Sequence, residues 1–269
     1  MKLNFRQYSD SGEALLILHG LFGNLRNWNW HARELAQEFA VYALDLRNHG
    51  DSPHADTMSY PEMAADVAAV IDQENLDAVN LLGHSMGGKV AMQLALEKPE
   101  RIRRLLVADI APVSYGEDRG DHDDIFDGLL AVDTAALTSR KDAEEKLKTA
   151  SADPGVRQFL VSNLVKESRG GYRWRFNLEA LHSNYRNLRA GVPVAGSTAA
   201  GQQFAGPVLF VKGGESDYIG REDWPVVERL FPRARIKTLM GTGHWLHAEK
   251  PRVFHRVARD FFTGEGTDR

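Results

Sequence analysis

The segment Gly83-His84-Ser85-Met86-Gly87 places a serine between two glycines at a spacing that suits a nucleophile. The segment follows the apolar run 79–82 and opens the helical pattern 86–98, so a strand, a tight turn and a helix are predicted. Such a turn strains the serine backbone, and glycines two places before and after it let neighbouring chain pass close by. Ser85 is therefore the candidate nucleophile, and we regard a chance occurrence of the pattern as the less favoured interpretation.

A serine hydroxyl needs a neighbouring base before it can attack a carbonyl carbon. The chain has ten histidines, and two of them, His244 and His247, lie between the last predicted strand and the last predicted helix, with His244 nearer to the strand. That loop belongs to the carboxyl edge of the sheet, where the sites of open α/β folds gather. His244 is therefore the candidate base, with His247 as the less favoured alternative. Five further histidines are expected to pack in the core or lie on the surface: His31, His84, His122, His182 and His255.

Two aspartates compete for the role of the acid that orients the base. Asp109 ends the apolar run 105–109, and Asp217 follows the run 208–211, so both lie at the carboxyl edge of the sheet and between Ser85 and His244 in the chain. The residues alone do not separate them. Asp45 also ends an apolar run but precedes the serine, and we interpret it as a structural residue that could pair with Arg47.

The segment His19-Gly20-Leu21-Phe22-Gly23 follows the first apolar run, at residues 14–18. Its small residues would let the backbone turn toward the nucleophile. The backbone N–H groups of Leu21 and Met86 are then the predicted oxyanion donors, with Phe22 replacing Leu21 if the register shifts by one. A plain strand-to-helix turn is the alternative interpretation.

Length and composition limit the class of protein. The 269 residues are 43% hydrophobic and 26% charged, with a net charge of −4, so a nucleic-acid partner is not expected. Cysteine is absent, which excludes disulfides, thiolate metal sites and cysteine nucleophiles. We find neither a signal-peptide pattern nor an apolar run long enough to span a bilayer, so a cytoplasmic location is expected.

The apolar runs alternate with helical patterns, which predicts an open, mostly parallel sheet flanked by helices. Residues 2–8 alternate polar and apolar side chains, as an edge strand or hairpin arm does. The strands are expected at 14–18, 41–45, 79–82, 105–109, 208–211 and 236–239, and the helices at 27–39, 60–74, 86–98, 221–231 and 251–262.

The alternation of predicted strands and helices is interrupted between residues 112 and 206, where the sequence shows no buried strand. Pieces at 125–132, 143–150 and 156–165 have helical, amphipathic patterns, and residues 192–206 have the composition of a loop. We therefore expect a core of residues 1–111 and 207–269 with a helical cap inserted at 112–206.

The motifs together resemble the α/β-hydrolase superfamily, and more narrowly the YbfF-type esterases and their mitochondrial relatives. They lie at residues 19–23, 45–53, 83–89, 108–115 and 241–251, in an order and spacing that span nearly the whole chain. The resemblance implies an eight-stranded sheet with a helical cap after the sixth strand. It also implies hydrolysis of carboxylic esters, with short acyl esters and acyl-CoA thioesters as substrates and no metal or organic cofactor.

The resemblance carries the roles of nucleophile, base and oxyanion donors onto Ser85, His244, Leu21 and Met86. For the acid, the superfamily at large favours Asp217, whereas the YbfF-like group favours Asp109, which we slightly prefer. Candidate substrate contacts are Phe22, His84, Tyr115, Trp174 and Trp245. Two cap arginines, Arg173 and Arg175, could meet an anionic leaving group, although a solvated surface role is favoured for both.

Other functions remain open at this point. The same residues could hydrolyse carbon–carbon bonds or act as a cofactor-free haloperoxidase, and a hydrolase fold can also serve as a non-catalytic ligand receptor. An aspartate nucleophile, as in haloalkane dehalogenation, is disfavoured by Ser85. The expected partner is a small ester or thioester, and a homodimer is left open.

Overall fold

The computed structural model describes residues 1–116, 122–193 and 202–265. Its strands are β1 (Phe5–Gln7), β2 (Glu13–Leu18), β3 (Phe39–Leu44), β4 (Val79–His84), β5 (Ile102–Ala108), β6 (Leu164–Lys166), β7 (Tyr172–Trp174), β8 (Val208–Gly213) and β9 (Ala234–Leu239). Seven of them form one sheet in the order β1-β3-β2-β4-β5-β8-β9. Every neighbouring pair in this sheet is parallel except the edge pair β1 and β3.

Helices flank both faces of this sheet. Their bounds are α1 (Asn29–Leu35), α2 (Tyr60–Gln73), α3 (Met86–Glu97), α4 (Asp123–Ala131), α5 (Arg140–Lys146), α6 (Pro154–Val161), α7 (Leu178–Ser183), α8 (Tyr185–Arg189), α9 (Trp224–Leu230), α10 (Leu246–Glu249) and α11 (Pro251–Thr263). Alternate residues of the central strands point to opposite faces, so each strand is apolar on both sides. Leu16 and Leu81 pack with α2 and α3, whereas Ile17 and Leu82 pack with α1 and α11.

The predicted α/β architecture is confirmed, with one difference in the sheet. The described residues contain a seven-stranded sheet where eight strands were expected. The N-terminal segment supplies a single strand, β1, which pairs with β3 at the sheet edge and does not form a hairpin with β2. The long connection therefore follows the fifth strand instead of the sixth.

This connection between β5 and β8, called the β5–β8 connection below, carries α4 to α8. It also contains a feature absent from the sequence prediction, the antiparallel pair β6 and β7. The helical pattern predicted at 156–165 ends earlier, because α6 stops at Val161 and the chain then enters β6. Part of the predicted loop at 192–206 lies outside the described residues, at positions 194–201.

Other boundaries shift by a few residues. The helix expected at 27–39 is shorter, because a 3-10 turn at Leu25–Trp28 precedes α1. The last strand begins two residues before its predicted start. Within the described ranges, no helix is both long and apolar enough to cross a membrane.

The strand order places a topological switch at β2 and β4. The chain moves outward from β2 to β3 and then returns to the other side of β2 as β4. The loops that leave neighbouring strands β2 and β4 therefore diverge at the carboxyl edge and open a crevice, which is where open α/β sheets bind their ligands. The turn at residues 19–23 and the serine at position 85 both lie there.

Candidate active site

The turn between β4 and α3 holds Ser85 in the strained backbone that its motif predicts. Its φ of 51° and ψ of −123° are rare for a residue with a side chain. A Cβ on Gly83 would lie 2.3 Å from the carbonyl oxygen of Gly87, and one on Gly87 would lie 2.4 Å from that of His19. Only glycine fits at both places, so the sequence forces the Ser85 side chain out at the N-terminus of α3.

His244, in the loop after β9, faces a buried carboxylate. Its Nδ1 lies 2.8 Å from Oδ2 of Asp109, which has no solvent exposure. The Asp109 carboxylate also accepts hydrogen bonds from Gly213 N at 2.8 Å and from the Ser216 hydroxyl. Because Nδ1–H donates to the carboxylate, the lone pair of His244 Nε2 remains available as a base.

The second candidate acid takes a different position. Asp217 is exposed, whereas its neighbours on the same loop contact the site. Ser216 binds Asp109, and the ring of Tyr218 stacks on His244 with centroids 4.0 Å apart. Of the two aspartates that the sequence left open, the structure brings Asp109 to His244.

Ser85 and His244 line the same cavity, described below. Among the described residues, the Ser85 hydroxyl makes no hydrogen bond, so it is not committed to another partner. Contacts between a nucleophile and its base are often long in unliganded enzymes and tighten only when substrate binds.

The turn after β2 approaches the serine closely. A Cβ on Gly20 would lie 3.2 Å from Cβ of Ser85. The backbone N–H of Phe22 is occupied, because it donates to Nε2 of His49 at 3.2 Å. In the part of the chain that the structure describes, the N–H groups of Leu21 and Met86 have no protein acceptor. The register with Leu21 as donor is thus the one in which both N–H groups are free to receive a developing oxyanion.

Two histidines that the sequence prediction did not assign to the site brace this turn. His19 donates from Nδ1 to Gly20 O at 2.8 Å and accepts from Leu46 N at 3.0 Å. His49 donates to Arg47 O at 2.9 Å while accepting from Phe22. Burial lowers the pKa of His19 to about 4 and that of His49 to about 3, so both rings stay neutral and can accept a hydrogen bond.

His84 and His247 pack beside the site, as predicted for His84. His84 donates from Nε2 to His244 O at 2.9 Å, which fixes the backbone of the candidate base. His247 stacks on Trp28 with centroids 4.4 Å apart. Burial lowers the pKa of His84 to about 3, with the neighbouring His244 acting in the same direction, and lowers the pKa of His247 as well. Neither is placed to bind Asp109.

This set of buried neutral histidines predicts a loss of stability in mild acid. Burial also lowers the pKa of His31 to about 4 from an ordinary 6.5, so the unfolded chain binds more protons than the folded one between these values. Stability is therefore complete above pH 6.5 and falls as the pH drops through this window. At pH 5, each such imidazole lowers the free energy of unfolding by roughly 1–2 kcal/mol relative to pH 7.

Thermal unfolding at pH 7 and pH 5 measures this effect, and we expect a clearly lower Tm at pH 5. The His31→Phe variant should show a shallower dependence on pH than the wild type. The His54→Asn variant should retain the wild-type dependence, since His54 is exposed. A Tm that does not change between the two pH values would contradict the assignment of neutral buried rings.

A cavity of about 580 Å³, called the main cavity, opens above Ser85. Its volume is in the usual range for small-molecule sites. It is lined by the turn after β2, by the loop that carries His244, and by α4 and α6 of the β5–β8 connection. A second cavity of about 40 Å³, called the small cavity, is also lined by Ser85 and extends along α3 to Lys89.

The predicted substrate contacts divide between these cavities. Phe22, His84 and Trp245 line the main cavity, and Tyr115 lines the small one. Trp174 lines neither, because its ring stacks on Phe176 with centroids 5.4 Å apart. The structure thus places Trp174 in packing contact with Phe176 and outside both cavities.

The structure shows the partners of three charged side chains that the sequence analysis discussed, Arg173, Arg175 and Asp45. Arg173 pairs with Glu167, and Arg175 pairs with Asp51, so each is paired at the surface and neither lines a cavity. Asp45 is structural, as expected, but it does not pair with Arg47. It accepts from backbone N–H groups, including Leu25 N at 2.7 Å, whereas Arg47 binds Asp66 and Glu62.

A serine on a strained strand-to-helix turn, with a histidine and a buried aspartate on later strand ends, is the arrangement that defines α/β hydrolases. A family model for the α/β-hydrolase fold matches residues 13–251, and the chain belongs to this family.

Several of its relatives carry esterase or lipase names. The chain is 38% identical to the sn-1-specific diacylglycerol lipase ABHD11 of Xenopus laevis, over 96% of this chain and 83% of the relative. It is 35% identical to esterase YbfF of Escherichia coli, over 97% of this chain and 99% of the relative. The solved structure of a marine microorganism esterase superposes with a TM-score of 0.92 at 40% identity, covering 97% of this chain and 99% of that one. The chain is thus a hydrolase of the esterase and lipase type.

Proposed function

We propose that this protein is a serine hydrolase that cleaves carboxylic esters with short acyl groups, acyl-CoA thioesters included, through an acyl-enzyme on Ser85. The observation that carries the proposal is the meeting of Ser85 and the Asp109-bound His244 at the wall of one cavity. A hydroxyl needs a base to become a nucleophile, and the base needs a carboxylate to orient it, which is the set of groups that these three residues supply.

The first step forms the acyl-enzyme. His244 Nε2 takes the proton of the Ser85 hydroxyl as Oγ attacks the ester carbonyl carbon, and the N–H groups of Leu21 and Met86 stabilise the oxyanion. Asp109 stabilises the resulting imidazolium through Nδ1–H. His244 then gives its proton to the alcohol oxygen as the carbon–oxygen bond breaks and the alcohol leaves.

The second step releases the acid. A water molecule gives its proton to His244 Nε2 and attacks the acyl carbon, and the oxyanion forms again between the same two N–H groups. When the intermediate collapses, the proton returns to Ser85 Oγ and the carboxylic acid leaves. The residues named here account for every proton transfer, so the cycle needs no group beyond water and the ester.

The β5–β8 connection acts as a cap over this site in our proposal, with residues 112–206 as cap and residues 1–111 and 207–269 as core. Ile125 of α4 and Phe159 of α6 line the main cavity together with Ser85. Phe159 also packs against Trp245, with ring centroids 5.2 Å apart. This apolar roof suits an ester whose alcohol part is large and apolar, which is compatible with the acylglycerol substrate in the name of the Xenopus relative.

A substrate profile tests the proposal against its rivals. We expect turnover of p-nitrophenyl butyrate and butyryl-CoA by the wild type. Carbon–carbon hydrolysis of a vinylogous diketone and halide oxidation by peroxide should remain at background. Turnover of the diketone or of halide, with all esters inert, would assign a different chemistry to the same residues, and no turnover of any substrate would favour a ligand receptor.

A further inference from the structure

Lys89 is a buried cation that the proposed mechanism does not use. It lies one helical turn after Ser85 on α3, and it is 1% exposed. Its Nζ donates to Val113 O at 2.8 Å and Ala190 O at 2.6 Å, with a longer contact to Arg189 O at 3.4 Å. Because Val113 lies at the start of the β5–β8 connection and Ala190 directly after α8, one amino group ties both segments to α3.

Two aromatic rings complete the surroundings of this amino group. Nζ lies 4.5 Å from the ring centroid of Tyr115 and 5.5 Å from that of Tyr60. Burial lowers the pKa of Lys89 to about 7, while the charge of Asp223 acts in the opposite direction. The Tyr115 hydroxyl donates in turn to Tyr218 O at 2.6 Å. Lys89 on α3 therefore contacts Tyr115, and Tyr115 in turn binds Tyr218, whose ring stacks on His244.

The small cavity runs from Ser85 to Lys89. Its far wall comes from the β5–β8 connection, through Tyr115, Tyr185 and Leu188. Its volume of about 40 Å³ leaves room only for a small group such as a short aliphatic chain. The main cavity is more than ten times larger, about 580 Å³ against 40 Å³, and meets the small cavity at Ser85.

The position of the base decides which half of an ester each cavity takes. His244 lines the main cavity and is not part of the small one. The base must reach the leaving oxygen to protonate it, so the alcohol part has to lie on the side of His244. The acyl carbon is bonded to Ser85 Oγ at that moment. Its chain then points away from His244, into the small cavity.

Building on the proposed ester hydrolysis, we infer that the small cavity is the acyl subsite and that Lys89 is a positioning residue for it. By holding Val113 and Ala190 against α3, Lys89 fixes the far wall and limits the acyl group to a short chain. The main cavity then accepts alcohols of much greater length.

Two series of esters test this in the wild-type protein. With p-nitrophenol as constant alcohol, kcat/KM should fall at least about tenfold between butyrate and octanoate, since the longer chain overfills the subsite. With acetate as constant acyl group, kcat/KM should not fall between ethyl and octyl esters. Equal rates for butyrate and octanoate, or a preference for octanoate, would overturn the inference.

A pair of matched variants locates the subsite. Leu188 lines the small cavity and Leu160 the main one, and both are buried. Leu188→Ala should raise the octanoate-to-butyrate ratio of kcat/KM by about tenfold, because it opens the far wall. Leu160→Ala should leave this acyl ratio within about twofold of the wild type. The reverse result would place the acyl chain in the main cavity and overturn the inference.

Lys89→Met tests the positioning role, since it keeps the length of the side chain and removes the three contacts. The octanoate-to-butyrate ratio should rise by about tenfold while a fluorophosphonate still labels Ser85. An unchanged acyl ratio in a folded Lys89→Met protein would overturn the role of Lys89. If the wild type cleaves esters at rates that do not depend on acyl length, the subsite assignment fails and the proposed ester hydrolysis stands. If it cleaves no ester and resists the fluorophosphonate, the proposed function fails as well.

Discussion

Ser85→Ala is expected to lower kcat for p-nitrophenyl butyrate by about 10⁴-fold or more. The variant loses the atom that would carry the acyl group, and no nearby hydroxyl is held at the N-terminus of α3 to replace it. Initial rates at saturating ester concentration measure the effect. The residual rate should be the slow attack of water assisted by the oxyanion donors.

The fold should tolerate this change, because the strained turn is enforced by Gly83 and Gly87 and the Ser85 hydroxyl makes no hydrogen bond among the described residues. The Tm of Ser85→Ala should therefore match the wild type, since alanine keeps the Cβ and with it the same backbone conformation. Ser11→Ala, at an exposed serine, is the matched control and should keep full activity. Retained turnover in Ser85→Ala would contradict the assigned nucleophile.

Asp109→Asn is expected to lower kcat by about 10⁴-fold, whereas Asp217→Asn should change kcat by less than about twofold. The buried carboxylate accepts from His244 Nδ1, and an amide at this place favours the opposite tautomer, which removes the lone pair from Nε2. Asp217 is exposed, and the hydrogen bond of His244 Nδ1 goes to Asp109 instead. Steady-state kinetics of the two variants, compared at one pH, give the difference.

A measurement of Tm separates catalysis from folding in this comparison. The amide introduced by Asp109→Asn retains an oxygen that can accept from Gly213 N, so the loop after β8 should keep its position. If Asp217→Asn shows the larger loss while both variants are folded, the acid has been misassigned and the Asp109–His244 contact serves structure only.

The local part of the site was predictable from the sequence. The turn at Ser85 depends on residues within a few positions of it, so the glycine spacing alone determines its backbone. The strand ends at Asp109 and near His244 were also predictable, because runs of apolar residues identify the central parallel strands. Sites at the carboxyl edge follow from that topology.

The rest depends on contacts between distant segments, which no local pattern encodes. Asp109 and Asp217 both follow strands, and only the path of the loop after β8 turns Ser216 and Tyr218 inward and Asp217 outward. The choice of Leu21 over Phe22 depends on His49, which takes up the Phe22 N–H from another loop. For the stacking of Tyr218 on His244, the sequence offered only one indication, an aromatic residue directly after the candidate acid Asp217.

The β5–β8 connection was the least predictable region. Its short strands β6 and β7 have three residues each, too few to show a period. Trp174 looks like a pocket residue by type, but its stacking on Phe176 can be known only from the packing. The role of Lys89 was hidden for the same reason, since its carbonyl partners lie 24 and 101 positions away.

The central claim is that one activated hydroxyl, at position 85, becomes acylated. Its most direct test is the mass of the intact protein and of its peptides after reaction with a fluorophosphonate probe. We predict a single adduct on the peptide that contains Ser85, prevented by prior incubation with excess short-chain ester and absent from Ser85→Ala. An unlabelled wild-type protein, or an adduct on any other residue, would contradict the account.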